Sequence, residues 1–440
     1  MVSVKYDKTI LSHAGMLNLY GTVAAMLLFV AATCLFSACQ SDGEDSLPPV
    51  EPDANYAVSR TLMVYMVAEN NLSSKVGADF MEMQRAMKDQ ALQDGDRMVV
   101  YVDDVQLPRI YVLTKDTMAT QLVETYAEDV NSSSADELKK FVMRVKQEYP
   151  AESYGLVLWS HASGWLPSNY IGGHTGASAP RRSFGLDNSA NLSSSSLNGH
   201  QMEIPDMAAA LEACGGVDFI FFDACFMQTA EVAYALRGAT KHVVASPAEI
   251  PGPGADYATM TKAMFRKDDY VEQMLQSYYA TYPDTSTYGI VISAVETAAM
   301  DNFAAYMSGL VSAHRQELLD VNVAALLNYS RFMYWTTSYP DFVDMQSLMK
   351  QVLTAAEFAE WQIEVGKVVK CLHTNAWYSA LPNRKIAIPE GECSGLTMFV
   401  PRTAYNGYSS NFNAKFLQTA WAQKVWEGRT GLETDEGVGG

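Results

Sequence analysis

YGLVLWSHASGW (154–165) and VDFIFFDACFMQTAE (217–231) decide the fold. Each is an apolar run that stops at one chemically versatile side chain, His161 in the first and Cys225 in the second. A continuous apolar run of this length between polar residues reads as a strand buried on both faces of a parallel sheet. Similar runs occur at RTLMVYMVA (60–68), RMVVYVDD (97–104), HVVASPAE (242–249) and YGIVISAVE (288–296). Between them lie stretches with helical spacing, such as Val76, Phe80, Met83 and Met87, or Leu138, Phe141 and Val145 in a segment that stops at Pro150. Strand–helix alternation of this kind predicts an α/β fold, a mostly parallel central sheet flanked by helices. RIYVLTKD (109–116) and QLVETYAE (121–128) read as a hairpin added to the sheet.

Outward from this centre the chain divides into four parts. Residues 1–39 read as a sorting segment: Lys5 and Lys8 precede an apolar stretch from about Met16 to Ala38, and small residues stand directly before Cys39. Residues 40–58, rich in Asp, Glu, Ser and Pro, read as a flexible tether. Residues 59–300 carry the strand–helix alternation. Residues 301–440 are expected to be a mainly helical region with one late strand, GLTMFVPR (395–402), and a helix at FLQTAWAQKVW (416–426). The Gly-, Ser-, Pro- and Asn-rich residues 166–200 read as a long loop.

Composition narrows the partners. Fifty Asp and Glu against 31 Lys and Arg give a formal charge of −19, which argues against nucleic acid and is consistent with basic peptides or proteins as substrates. A monomer is expected. With Cys34 in the sorting segment and Cys39 at its end, Cys214, Cys225, Cys371 and Cys393 remain, and no CxxC spacing supports a zinc site. Cys371–Cys393 is the better guess for a disulfide in an exported chain.

In open α/β sheets, ligands bind beyond the carboxyl ends of the strands. A His and a Cys delivered at two such ends have the makings of a base and a nucleophile. The thiol attacks as thiolate, an imidazole can take its proton, and amides at the strand-to-helix turn can hold an oxyanion. No other histidine is so placed: His174 and His200 fall in the loop stretch, His242 begins a strand, and His314 and His373 lie in helical regions. The alternative is a buried structural cysteine beside an ordinary loop histidine.

Five segments carry a resemblance: YMVAENNL (65–72), YPAESYGLVLWSHASGW (149–165), VDFIFFDACFMQTAEVAYAL (217–236), VASPAEIPGPGADY (244–257) and GLTMFVPR. In this order, over residues 60 to about 428, they resemble the clostripain family of cysteine peptidases, bacterial relatives of the caspases and gingipains. The resemblance implies a caspase-like fold and an endopeptidase with a Cys/His dyad, Cys225 as nucleophile and His161 as base. It implies an oxyanion hole from the backbone of Ala162 and Cys225. The family normally has Gly where Ala162 stands, and a conformation needing positive φ would be strained there. Cleavage after Arg or Lys is implied too, with Asp223 as the first residue expected to line an acidic pocket, and Asp256 and Glu249 as weaker ones. Self-cleavage between the two site residues would fall after Arg182, or Arg181, in APRRSFGLDN (179–188).

The first 39 residues resemble a Bacteroides-type lipoprotein signal, which implies lipidation of Cys39 and an outer-membrane, surface-exposed location. No cofactor is required for the chemistry. Calcium enters by family analogy only, no calcium loop motif is visible, and no metal ligands are assigned. A second reading keeps the fold without the activity, a lipoprotein that binds peptide or glycan.

Overall fold

Each apolar run becomes a strand because both faces of the sheet are sealed, so neither alternate set of side chains can be polar. The computed structural model describes residues 60–88, 92, 95–115, 120–166, 183–188, 199–330, 342–380, 383–406 and 411–432. Its strands are β1 (Thr61–Val67), β2 (Arg97–Asp103), β3 (Arg109–Thr114), β4 (Gln121–Thr125), β5 (Tyr154–Trp159), β6 (Phe184–Asp187), β7 (His200–Met202), β8 (Val217–Asp223), β9 (Thr240–Ala245) and β10 (Val291–Glu296). Five more follow: β11 (Val343–Asp344), β12 (Val369–His373), β13 (Ala376–Ser379), β14 (Arg384–Ala387) and β15 (Thr397–Met398).

Nine of these strands form one sheet in the order β12-β10-β9-β8-β5-β1-β2-β3-β4. The central five, β9, β8, β5, β1 and β2, run parallel. The β3–β4 hairpin extends one edge and β10 with β12 the other, all antiparallel.

Helices α1 (Val76–Ala86), α2 (Ala135–Glu148), α3 (Ile204–Ala213), α4 (Ala230–Ala235), α5 (Tyr257–Met264), α6 (Tyr270–Thr281) and α7 (Met300–Ala313) cover both faces. One face packs Met63, Tyr65, Leu156, Leu158, Ile220 and Phe222 with α2, α3, α4 and α7. The other packs Leu62, Val64, Met66, Val157, Phe219 and Phe221 with α1, α5 and α6. Successive residues of one strand thus serve opposite cores, the period of two expected of a pleated strand.

Two expectations need correction. Residues 301–440 are mainly helical, as expected, but their described residues carry five short strands where one late strand was expected. Pro49–Gly440 is one compact unit, the region contributes β11 to β15, and β12 completes the central sheet. These strands run two to five residues, too short to show a period. Nor is 166–200 all loop, because β6 and the start of β7 lie inside it and pair with each other. The sorting segment, the tether and Cys39 lie outside the described residues, and among the described residues no helix is long and apolar enough to cross a membrane.

Candidate active site at the carboxyl edge of the sheet

From β1 the chain moves to β2 on one side, and β5 then enters on the other side of β1. The carboxyl ends of β1 and β5 therefore flank a topological switch point, where open α/β sheets leave a crevice. His161 follows β5 by two residues, and Cys225 follows β8 by two. In the parallel β5–β8 ladder Trp159 is the partner of Asp223. His161 and Cys225 thus stand at equal height beyond adjacent strands.

The two turns are packed together. Gly164, at φ +66°, lies so close that a Cβ there would sit 2.7 Å from the backbone oxygen of Phe226. Glycine is needed at this position for both the dihedral and the approach. Both side chains are half-buried. The Cys225 Sγ accepts a 3.5 Å hydrogen bond from the Ile250 amide, and His161 Nε2 meets Asn71 Oδ1 at 2.5 Å across the switch point. Asn71 sits in the turn after β1, whose neighbour Asn70 is anchored to the carbonyls of Val67 and Leu186.

Ala162 answers the concern raised by its sequence. It forms an antiparallel bridge with Phe184 of β6, flanked by Gly185 N–H donating to the His161 carbonyl and Ser163 N–H donating to the Ser183 carbonyl. In such a non-hydrogen-bonded pair the residue's own N–H points away from its partner strand. Among the described residues nothing accepts a bond from the Ala162 amide, so it remains available for an oxyanion. Ala162 is also absent from the residues with positive φ. The strain feared at this position is not there; it falls instead on Phe226, directly after Cys225, with φ 62°.

Asp223 ends β8 beneath this edge and is buried. Its Oδ2 accepts bonds from the Tyr257 hydroxyl (2.9 Å) and the Ala255 amide (3.2 Å), while buried Oδ1 has no partner. Burial raises its pKa to about 6. A second buried acid is close by. Asp79 of α1 accepts a 2.9 Å bond from the Trp159 indole, and burial, then the charge of Asp223, raises it to about 7. Asp79 lies among the buried positions Val76, Met83 and Ala86. An acid in that apolar stripe was a readable signal that the sequence reading missed.

The other expected pocket residues are engaged elsewhere. Asp256 caps α5, its Oδ1 accepting from Ala258 N and its Oδ2 from the Thr259 hydroxyl. Glu249 accepts a 3.0 Å bond from Ala380 N, beside the β13–β14 hairpin. Arg181 and Arg182 lie outside the described residues. Cys371 and Cys393 do meet, but as free thiols with Sγ atoms 4.0 Å apart. Glu231, buried in α4, fastens the late strand region to the Cys225 segment by accepting from Phe399 N at 2.9 Å.

One group of described residues could hold a metal. Glu69, Asp103 and Asp129 offer carboxylate oxygens within 4.8 Å of one another. Burial, then neighbouring carboxylates, raises Glu69 to about 7 and Asp103 to about 9.

Known proteins resemble this chain in sequence and in fold. Residues 64–427 match the model of the Clostripain family. Clostripain from Hathewaya histolytica is 28% identical over 225 residues, which is 45% of this chain and 40% of the length of that relative. Among solved structures, an inactive zymogen C11 protease from Parabacteroides distasonis aligns with a TM-score of 0.68 and 28% identity, covering 85% of this chain and 99% of its own. A secreted C11 cysteine protease from Bacteroides thetaiotaomicron, solved with an irreversible peptide inhibitor, aligns with a TM-score of 0.68 and 25% identity, covering 84% and 99%.

Proposed function

The chain belongs to the clostripain family of cysteine peptidases, and from that premise we propose that it is an endopeptidase cleaving after Arg or Lys through a Cys225/His161 dyad. The observation that carries the proposal is the β5–β8 register, which supports a dyad by setting His161 and Cys225 two residues beyond the same rung.

In this mechanism His161 takes the Cys225 proton and the thiolate attacks the scissile carbonyl. The amides of Ala162 and Cys225 hold the resulting oxyanion. His161 protonates the leaving amine, and water, deprotonated by the same imidazole, hydrolyses the thioester. Asn71 Oδ1 holds the far nitrogen of the ring, so that Nδ1 faces the reaction. The buried pair Asp79 and Asp223 favours a cationic side chain before the scissile bond, because among the described residues no Lys or Arg forms an ion pair with either carboxylate, Lys75 acting on Asp79 only as a minor, more distant charge. The solved relative held by a peptide inhibitor is in keeping with a peptide-binding crevice at this edge.

We extend the proposal to the ends of the chain. Lipidation at Cys39 would anchor the enzyme to the outer-membrane surface, and self-cleavage after Arg182 would free the chain between β5 and β6. Palmitate labelling of the wild type but not of Cys39→Ala tests the first. A new amino terminus at Ser183, missing in Cys225→Ala, tests the second.

The deciding experiment is hydrolysis of matched Arg, Lys and Ala peptides by the wild type beside Cys225→Ala and His161→Ala. Arg and Lys cleavage lost in both variants is expected. Cleavage that survived in Cys225→Ala would end the dyad reading, and no cleavage of any peptide would favour a binding lipoprotein.

A further inference from the structure

We propose that Cys371 and Cys393 are the site of a reversible disulfide, a covalent clasp at the base of the β13–β14 hairpin that a disulfide-bearing oxidant closes. The two stand here as free thiols with Sγ atoms 4.0 Å apart. Cys371 is the middle residue of β12 and pairs with Ser293 of β10. The stretch 393–395 is pressed against it. The Ser293 hydroxyl donates to the Gly395 carbonyl at 2.6 Å, and a Cβ on Gly395, at φ +76°, would lie 2.5 Å from Cys371 Sγ.

A buried carboxylate holds the second thiol in place. Asp344 accepts bonds from the Ser394 amide (2.8 Å) and hydroxyl (2.7 Å), the Gly395 amide (3.0 Å) and the Tyr329 hydroxyl (3.0 Å). That tyrosine oxygen also meets Cys393 Sγ at 3.4 Å. These contacts position both backbones without any sulfur–sulfur bond. A disulfide needs its sulfur atoms about 2.05 Å apart, and rotation about the two Cα–Cβ bonds spans a gap of 4.0 Å.

The chemistry balances as two successive exchanges. The Cys371 thiolate attacks one sulfur of the oxidant, RS–SR, forming a mixed disulfide and releasing RS⁻. The Cys393 thiolate then attacks the Cys371 sulfur and expels the second RS⁻. The protein loses two protons and two electrons, and the oxidant departs as two thiols. The order follows from the surroundings. The Cys371 thiol, and then burial, hold Cys393 well above the ordinary thiol range, which makes Cys393 the resolving partner. Cys214, at the end of α3, directs its Sγ to the Lys139 carbonyl at 3.7 Å instead.

What the clasp encloses gives it a purpose. The two cysteines stand 22 positions apart, and between them lie β13 and β14, which form a two-stranded sheet of their own. Such a hairpin is marginally stable by itself, and a cross-link at its base removes open conformations. The hairpin in turn borders the dyad. Ala380, directly after β13, donates to Glu249 at 3.0 Å, and the neighbouring Ile250 amide donates to Cys225 Sγ. Closing the bond would stiffen the wall beside the nucleophile. The bond itself stands apart from the peptidase reading and is tested without an activity assay.

The test uses the full chain carrying Cys225→Ala, which removes the nucleophile and with it self-cleavage. The protein is equilibrated in excess oxidised or excess reduced glutathione, alkylated with iodoacetamide and mapped by mass spectrometry without reduction. A linked Cys371–Cys393 peptide in the oxidised sample only, with Cys214 alkylated in both, is the expected result. The oxidised form should melt about 3–8 °C above the reduced form, and the amides of β13 and β14 should exchange with solvent about tenfold more slowly. Adding Cys371→Ser should abolish the linked peptide and both differences, whereas adding Cys214→Ser should leave them. Both thiols alkylated after oxidation, or a link to any other cysteine in their place, overturns the site. A Cys371–Cys393 link that alters neither melting nor hairpin exchange overturns the clasp.

Discussion

Replacing Asp223 by Asn separates a pocket acid from a structural one, because the two roles predict opposite results for stability and selectivity. Truncating one partner of a buried charge pair costs about 2–5 kcal/mol. With Oδ1 free and buried, a value of about 3–4 kcal/mol is reasonable, and at about 1.4 kcal/mol per decade it means a 10²- to 10³-fold fall in kcat/KM for Arg and Lys peptides. Ala peptides, which place no cation there, should change less than threefold.

The stability side follows from the raised pKa. Between its ordinary value of 3.8 and about 6, the native carboxyl keeps a proton that the unfolded chain has lost. Stability therefore falls as pH rises through that window, and above it the ionised native carboxylate is disfavoured by about 3 kcal/mol. Asn escapes that term but leaves an amide unpaired, at about 1–3 kcal/mol. Urea denaturation at pH 8 should thus find Asp223→Asn as stable as the wild type or up to about 2 kcal/mol more stable. The pH dependence between 4 and 6 should flatten. An unchanged Arg-over-Ala ratio, together with a loss of more than 2 kcal/mol, would show that the carboxylate merely holds its turn.

Further outcomes follow from the same geometry. The ratio of kcat/KM for Lys over Ala peptides should fall about tenfold per pH unit below about 6, as Asp223 and the still more basic Asp79 take up protons; a ratio flat from pH 5 to 8 refutes the charged pocket. Asn71→Ala should lower kcat about tenfold with KM nearly unchanged, since one hydrogen bond of about 1–1.5 kcal/mol orients His161, whereas an effect confined to KM would remove Asn71 from that role. Ala162→Gly should leave kcat within twofold, because Ala162 needs no left-handed backbone, and a tenfold gain in rate would mean the alanine does restrain the oxyanion amide.

The sheet was legible because its signals are long. The buried strands β1, β2, β5 and β8 are six or seven residues each, and nearly every position is apolar. His161 and Cys225 were legible for the same reason, since the end of such a run is easily located. β6 was not. Its four residues, FGLD, sit in a stretch of Gly, Ser and Asn, and they pair because residues 161–163 offer an edge, which is a tertiary fact. Asn71 stands in ENNLSS (69–74), a polar stretch that by itself signals only a turn, and only the parallel pairing of β1 with β5 beside the switch point brings it to the imidazole. Asp256 illustrates the reverse error. An Asp before a helix is first of all a cap, and here the capping role holds its carboxylate at α5.

The turn after Cys225 shows how the site is held. A bulky residue with positive φ, as Phe226 has, costs on the order of 1–3 kcal/mol and survives only where its surroundings over-determine it. Here they do. The Phe226 amide donates to the Ala248 carbonyl at 3.0 Å, and the Gln228 amide donates to the Ser246 carbonyl at 3.1 Å, fastening both sides of the turn to the segment after β9. The ring packs against Phe342, 5.3 Å between centroids, and Gly164 closes from the His161 side. An ordinary helix start after β8 would carry the backbone straight on, whereas the left-handed step folds it back and leaves Cys225 at the crest. The strain therefore lies beside the residue that has to be presented. The contacts that sustain it come from three places, the segment after β9, the His161 turn and Phe342 beside β11.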